Sequence, residues 1–187
     1  MHPLLEELKS YHQHLSVILS QLRKTLNDLD KTPDSEKFRQ QLFSILGCFY
    51  NSNEAYHHAN EELVCTQLVL SAPSHHQGIA QIKNDHKKFD KLLNRIRKFH
   101  INEIYNNTLS SDFIDAIKEF MELSNTHTIT EDTLLLPLAE KWISPQQWHV
   151  VEHQWHPLPS FHIEKLDGDK PSTQRSSQKQ PLYHRHP

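Results

Sequence analysis

The chain is organised by apolar residues that recur at steps of three and four positions, the spacing of one buried face on an α-helix. Leu8, Leu15 and Leu22 illustrate the first of these apolar stripes. The stripes predict four helices. The first two lie at about residues 4–29 and 33–70, the third begins at about 74–77 with its inner face at 79–96, and the fourth has its stripe at 113–142. The aromatic residues expected to pack in the core are Phe49, Phe89, Phe120 and Trp142. Long amphipathic helices joined by short turns favour an all-α fold, an up-down-up-down four-helix bundle.

Local signals after the fourth helix predict a short fifth helix and then a tail. Ser144 followed by Pro145 is a typical helix start, and the helix would continue to about His153. From about His156 the chain is polar and interrupted by prolines, so it offers little apolar surface to offset the entropy lost on folding. We therefore predict one bundle domain at 1–155 and a disordered C-terminal tail at 156–187.

Composition excludes several classes of protein. The chain has only three glycines in 187 residues, which argues against the glycine-rich loops that bind phosphates. The net charge of −3 gives no basic surface for nucleic acid. No run of 18 apolar residues is present, so we expect no membrane-spanning helix, and the first residues lack the pattern of a signal peptide.

The cysteines are consistent with a cytoplasmic location. Cys48 and Cys65 fall on one predicted helix, about 25 Å apart at the rise of an α-helix, which is beyond the reach of a disulfide. Free cysteines are usual in a reducing compartment.

Histidine is the outlier in composition, with 16 residues against 20 lysines and arginines. Four histidines lie in the apolar stripes of four different predicted helices: His12, His57, His86 and His127. A buried imidazole needs partners for its ring nitrogens, because an unsatisfied buried polar group costs about 1–3 kcal/mol. Four such residues facing one core therefore indicate a shared ligand.

Two carboxylates strengthen this interpretation. Glu61 follows His57 by four residues, and Glu131 follows His127 by four, so each pair lies on one face of its helix. A single pair of this kind is common on exposed helices, but two copies in line with apolar stripes favour a metal site. Mixed nitrogen and oxygen donors suit iron, manganese or zinc better than calcium or a soft copper site, and carboxylates commonly bridge two ions.

Two segments of the sequence resemble the hemerythrin-like, or HHE cation-binding, family. The first, at 56–63, reads Tyr-His-His-Ala-Asn-Glu-Glu-Leu, and the second, at 127–140, contains an acid pair followed by Leu-Pro and Ala-Glu. Trp148 lies where many bacterial members have a tryptophan. The resemblance covers residues 1–155 and implies a bundle around a non-haem di-iron centre. It also implies that the centre binds dioxygen or responds to oxygen, nitric oxide, peroxide or iron.

The resemblance also implies a set of metal ligands. Glu61 and Glu131 would be the bridging carboxylates. The full implied set is His12, His57, Glu61, His86, His127 and Glu131. Oxygen-carrying members have a further histidine four residues after the one in the third helix, where this chain has Asp90. His58 is the alternative source of a fifth imidazole, while Asp90 remains a weaker candidate.

Three neighbouring assignments stay open. His14 competes with His12 for the first helix, but His12 continues the line of Leu8 and Leu15, so periodicity favours it. Glu62, like Asp90, is a weaker candidate metal ligand, and we expect it instead to be solvated or to orient a ligand histidine. The remaining histidines, including His149 and His153, are expected at the surface or in the tail, where a weak secondary metal site is a minor alternative.

Three functions follow from these patterns. The leading hypothesis is a non-haem di-iron protein that binds or senses a small oxidant, with zinc or manganese as alternative metals. The second is a di-iron oxidase or reductase acting on peroxide, nitric oxide or ferrous iron, because the Asp90 substitution would make the site richer in carboxylates. The third is a metal-free helical interaction module. A small diatomic ligand or oxidant is the expected partner; nucleic acid and membranes are not, and a protein partner cannot be named.

Overall fold

The structure is a computed structural model of the chain, and it describes residues 1–158 except 34, 52, 53 and 107. Within that part there are no strands. The α-helices are α1 (Pro3–Lys31), α2 (Glu36–Asn51), α3 (Glu54–Ser71), α4 (His76–Asn106), α5 (Ser111–Thr130), α6 (Leu136–Trp142) and α7 (Pro145–Gln154). None of these helices combines the length and the apolar character needed to cross a lipid bilayer.

The helices form the expected bundle. α1 packs against α2 and α5, and α4 packs against α5 and α3. The short α7 packs against α3. An all-α four-helix bundle with a short fifth helix is thus confirmed.

The predicted second helix at 33–70 is described as two segments. α2 ends at Asn51 and α3 begins at Glu54, and the two residues between them lie outside the described part of the chain. α2 begins later than predicted because Thr32 belongs to the end of α1, where its hydroxyl donates to the carbonyl of Asp28. Ser35 caps α2 instead, with its Oγ accepting from the backbone N–H of Phe38.

Helix α7 begins where the sequence predicts. The Ser144 hydroxyl accepts from the N–H of Gln147, and the Gln147 side chain accepts in return from the N–H of Ser144, which is a complete capping box. The Gln147 amide also donates to the hydroxyl of Ser71 on α3. The cap therefore both starts α7 and fixes it to the bundle.

The described chain continues past the predicted domain boundary at 155. The backbone of His156 exchanges two hydrogen bonds with the buried Asn60 side chain of α3. Glu7 of α1 accepts from the Trp155 indole and from the backbone N–H of Leu158. Residues 155–158 thus lie across α1 and α3, whereas the rest of the predicted tail, 159–187, lies outside the described residues.

A π-helical turn, Glu131–Leu135, joins α5 to α6 without a break in the helix. Pro137 follows it closely; proline has no N–H to donate, and its ring clashes with the carbonyl four residues earlier in a regular α-helix. A wider turn accommodates both effects. The wider turn changes which residues after it face the core. Leu135 is fully buried as a result, whereas Trp142 is 42% exposed. The expectation that Trp142 packs in the core was therefore wrong.

The apolar core has two parts, separated by a layer of polar side chains. On α1, Leu8 belongs to one part and Leu15 to the other, and the buried His12 lies between them. On α4, His86 likewise lies between Ile82 and Phe89. The histidines thus occupy one level of the bundle, with apolar packing on both sides.

Candidate metal centre

Five histidines and two glutamates meet in this polar layer. All seven are buried, with at most 8% of their surface exposed. They come from α1 (His12), α3 (His57, His58 and Glu61), α4 (His86), α5 (His127) and the π turn (Glu131). We call these seven residues the donor layer.

The donor layer divides into two sets that share Glu61. One set consists of His12, His57, Glu61 and Glu131, and the other of His58, Glu61, His86 and His127. Within each set, the four ligand atoms lie within 4.8 Å of one another. Each set therefore has the donors and the spacing to hold one metal ion.

The set around His12 and His57 is tightly spaced. Their Nε2 atoms are 3.0 Å apart. Two imidazole nitrogens bound to one ion at 2.0–2.1 Å stand roughly 2.9–3.4 Å apart for octahedral or tetrahedral angles. The Tyr11 ring stacks on His57 at 4.1 Å between centroids and restricts the orientation of that imidazole.

The second set is built around His58. Its ring stacks on that of His86 at 4.5 Å, and the ring of His127 is nearly perpendicular to both. His57 and His58 can serve different sets because consecutive helical residues point about 100° apart. The structure thus brings His58 into the layer, where sequence reasoning had proposed it as the fifth imidazole.

Both glutamates turn one oxygen toward each set. In Glu61, Oε1 is 2.7 Å from His57 Nε2 and Oε2 is 3.4 Å from His86 Nε2. In Glu131, Oε1 is 3.1 Å from His127 Nε2 and Oε2 is 3.5 Å from His12 Nε2. This arrangement is the one that bridging carboxylates need.

The electrostatics of the layer couple the imidazoles to the carboxylates. Burial opposes protonation of His12, but hydrogen bonds with Asp132 and Glu61 outweigh it and raise the pKa to about 10. At His86, burial is outweighed by Glu131 and Glu61, and the pKa again rises to about 10. Burial, reinforced by the neighbouring His57, lowers the pKa of His58 well below its usual value. Metal binding would displace the protons on His12 and His86, since imidazole coordinates in its neutral form.

The inward-facing atoms fit a metal pair. Among the described residues, Glu61 Oε2, His86 Nε2, His127 Nε2 and both carboxylate oxygens of Glu131 are buried without a hydrogen bond of good geometry. Buried polar atoms in folded proteins almost always have partners, because leaving them unsatisfied is costly. Two cations bound between the sets would satisfy these atoms together.

Two further carboxylates contact the outer nitrogens of donor histidines. Asp132 Oδ1 is 2.9 Å from His12 Nδ1, and Glu62 Oε1 is 3.1 Å from His86 Nδ1. Glu62 Oε2 also lies 2.7 Å from Lys83 Nζ. A carboxylate in this position fixes the tautomer and orientation of a ligand histidine. Glu62 was predicted in this role, whereas Asp132 was missed, its only sequence signal being its place beside Glu131.

Two of the proposed ligands lie outside the donor layer. His14 is exposed on α1, and its Nδ1 donates to the carbonyl of Ser10, so His12 is the residue of that pair that enters the layer. Asp90 is exposed on α4 and belongs to neither donor set. The ligand roles of the seven layer residues remain a prediction, now supported by their convergence.

A groove between α1 and α5 connects the donor layer with the surface. Its volume is about 490 Å³, and its inner end is formed by His12 and Asp132. Gln13 and Thr128 line it near that end, and Arg23 lies farther along α1. The groove therefore reaches the set that contains His12. The three histidines of the other set, His58, His86 and His127, do not line it.

Comparison with known proteins agrees with the geometry of the donor layer. The family model described as "Hemerythrin HHE cation binding domain" matches residues 3–139, a stretch that contains all seven residues of the layer. No curated protein and no solved structure is similar enough to add to this comparison. Because the match spans well over half of the chain, the protein belongs to the hemerythrin HHE cation-binding domain family.

Proposed function

We propose that the chain holds a non-haem pair of iron ions and binds or senses dioxygen or a related small oxidant, such as nitric oxide or peroxide, in the cytoplasm. The observation that carries the proposal is the pair of donor sets joined by Glu61. A single-ion site would not need carboxylates that turn one oxygen each to two groups of imidazoles.

The donor chemistry favours iron. Five imidazoles and two carboxylates give a nitrogen-rich site of intermediate hardness, which iron accepts readily and calcium or magnesium does not. Manganese and zinc remain alternative metals with compatible ligands. A bound iron pair would supply electrons and open coordination positions for a diatomic molecule.

The two sets have different roles in this proposal. The set with His58, His86 and His127 contributes three imidazoles, and the set with His12 and His57 contributes two. If both carboxylates bridge, the ion beside His12 and His57 would have four protein ligands and the ion beside His58 would have five, so the first ion would leave more positions for an exogenous molecule. The groove ends at His12, which supports entry of the small ligand on the same side.

Binding or sensing is favoured over turnover by the position of Asp90. The enzymatic alternative depended on a carboxylate in place of a histidine ligand, but Asp90 is exposed and His58 joins the donor layer instead. The third hypothesis, a metal-free module, leaves the buried oxygens of Glu131 without partners. It is therefore the least favoured of the three.

The test begins with untagged protein purified in air, followed by anaerobic reconstitution with ferrous iron. We expect about two iron ions per chain, as a bridged pair requires, and new charge-transfer absorption after oxygen or nitric oxide is added. Less than about one transition-metal ion per chain, with no visible absorption, would contradict the proposal. The double variant His57→Ala/Glu61→Ala should lose the metal, while His14→Ala, an exposed control on α1, should retain it.

A further inference from the structure

A second group of metal-binding side chains lies on α7, which contributes nothing to the donor layer. His149 and His153 are exposed and four residues apart, so they share one face of the helix. Their Nε2 atoms are 3.2 Å apart, and their rings are inclined at 79°. The two nitrogens, which are within hydrogen-bond distance of each other, are therefore close enough to bind one ion at the surface.

The spacing of these nitrogens matches the requirement of a single ion. Metal–nitrogen bonds of 2.0–2.1 Å place two ligand nitrogens roughly 2.9–3.4 Å apart, and the observed 3.2 Å falls within that range. The buried pair His12 and His57 has a similar separation of 3.0 Å. The exposed pair therefore already has the nitrogen spacing that one cation requires.

The surroundings of the pair supply negative charge and a fixed platform. Glu152 Oε2 is 3.8 Å from His149 Nδ1, and its other oxygen is 3.5 Å from His2 Nε2. At 3.8 Å this carboxylate is too far from His149 Nδ1 for a hydrogen bond, but its negative charge favours a cation nearby. Trp148 and Val151 are the buried residues of α7, so the helix is held against the bundle without a bound ion.

We propose that His149 and His153 form a surface site for one divalent transition-metal ion, independent of the donor layer, with water completing the coordination. Imidazole ligands select copper, nickel or zinc over magnesium or calcium. Among these ions the affinity should be highest for Cu²⁺, because the affinities of divalent ions at nitrogen sites rise from Mn²⁺ to Cu²⁺ and fall again at Zn²⁺. The proposal does not depend on which metal the donor layer holds.

The experiment titrates untagged protein, with its donor-layer metal already counted, with Ni²⁺ in a calorimeter. Wild-type protein should bind one further ion. His153→Ala should weaken that binding at least about tenfold, because even the loss of a group that only supports a ligand lowers metal affinity by about 10–100-fold. Both residues are exposed, so circular dichroism should show an unchanged helix content. Electron paramagnetic resonance with Cu²⁺ should report two coordinated imidazole nitrogens in the wild type and one in the variant.

A matched control separates spacing from histidine content. The double variant His153→Ala/Gln154→His keeps the number of histidines but places them five residues apart, so it should bind as weakly as His153→Ala. Other histidines in the sequence are common to all three proteins and cancel in the comparison. Equal affinity in all three, or no additional ion in the wild type, would overturn the proposal.

Discussion

The two halves of the donor layer use the same residue types but differ in number and access. The half around His58, His86 and His127 has three imidazoles and no contact with the groove. The half around His12 and His57 has two imidazoles and lies at the inner end of the groove. The comparison suggests that one half mainly holds its ion, whereas the other leaves room for a ligand.

The outer hydrogen bonds repeat this asymmetry. Asp132, which contacts His12, also lines the groove. Glu62, which contacts His86, is shared with Lys83 on the neighbouring turn of α4. A groove molecule can therefore reach the carboxylate of one half, whereas the carboxylate of the other half forms an ion pair with Lys83.

The largest effect should come from the residue that the halves share. Glu61→Gln removes the negative charge that both sets share and replaces one of the two carboxylate oxygens with an amide nitrogen, so metal affinity should fall by a factor on the order of 100, and the metal content of the purified protein should fall with it. Elemental analysis of purified protein measures this directly. Glu122→Gln, which removes an exposed carboxylate from α5, is the control and should retain bound metal. Full metal content in Glu61→Gln would break the two-set description.

Removing one histidine from either half should cost one ion. We expect His58→Ala and His12→Ala each to retain about one ion per chain instead of about two, because each leaves the other set complete. Asp90→Asn, an exposed change on α4, should keep both. Two ions in His58→Ala would mean that the fifth imidazole is not a ligand, and the halves would then be equal in donor number.

A smaller effect is expected at the carboxylate that orients His12. Asp132→Asn keeps the shape of the side chain but removes its charge, and it should weaken metal binding by about 10–100-fold, as for comparable outer carboxylates. Competition with a chelator gives the affinity, and only the ion beside His12 and His57 should be bound more weakly, because Asp132 contacts His12. Asp132→Glu should recover part of the loss. A loss that fell equally on both ions would remove the distinction between the halves.

The smallest effect concerns Lys83. Lys83→Met removes the contact with Glu62, but the lysine is partly exposed, and exposed ion pairs contribute only about 0–1 kcal/mol. Chemical denaturation should therefore show a change in the free energy of unfolding of less than about 1 kcal/mol, with unchanged metal content. Loss of an ion would contradict this expectation, because it would mean that Glu62 needs the contact with Lys83 to hold His86 in place.

The sequence correctly predicted that four histidines of the donor layer are buried, because helical period fixes which positions face the core. His12, His57, His86 and His127 stand in apolar stripes, and a stripe fixes which side of a helix faces the core. His58 was harder, since a stripe alone places only one of two adjacent residues inward. His58 is buried because α4, α6 and α7 all pack against α3. The sequence of α3 alone does not show which of its sides these helices contact.

The missed features follow from the π turn. A constant helical period predicts Trp142 in the core, but the wider turn that starts at Glu131 shifts the phase and buries Leu135 and Ile143. The contact between Asp132 and His12 joins residues 120 positions apart, so it depends on how α1 and the π turn pack together. Pro137 was the local signal of an irregular turn, although proline alone does not specify its width.

The most direct test of the two-set centre is anomalous X-ray scattering at the iron edge from crystals of the iron-loaded protein. The account predicts two peaks about 3.5–4 Å apart, lying between Glu61 and Glu131, one beside His12 and His57 and the other beside His58, His86 and His127. A single peak, or iron bound only outside the donor layer, would contradict it.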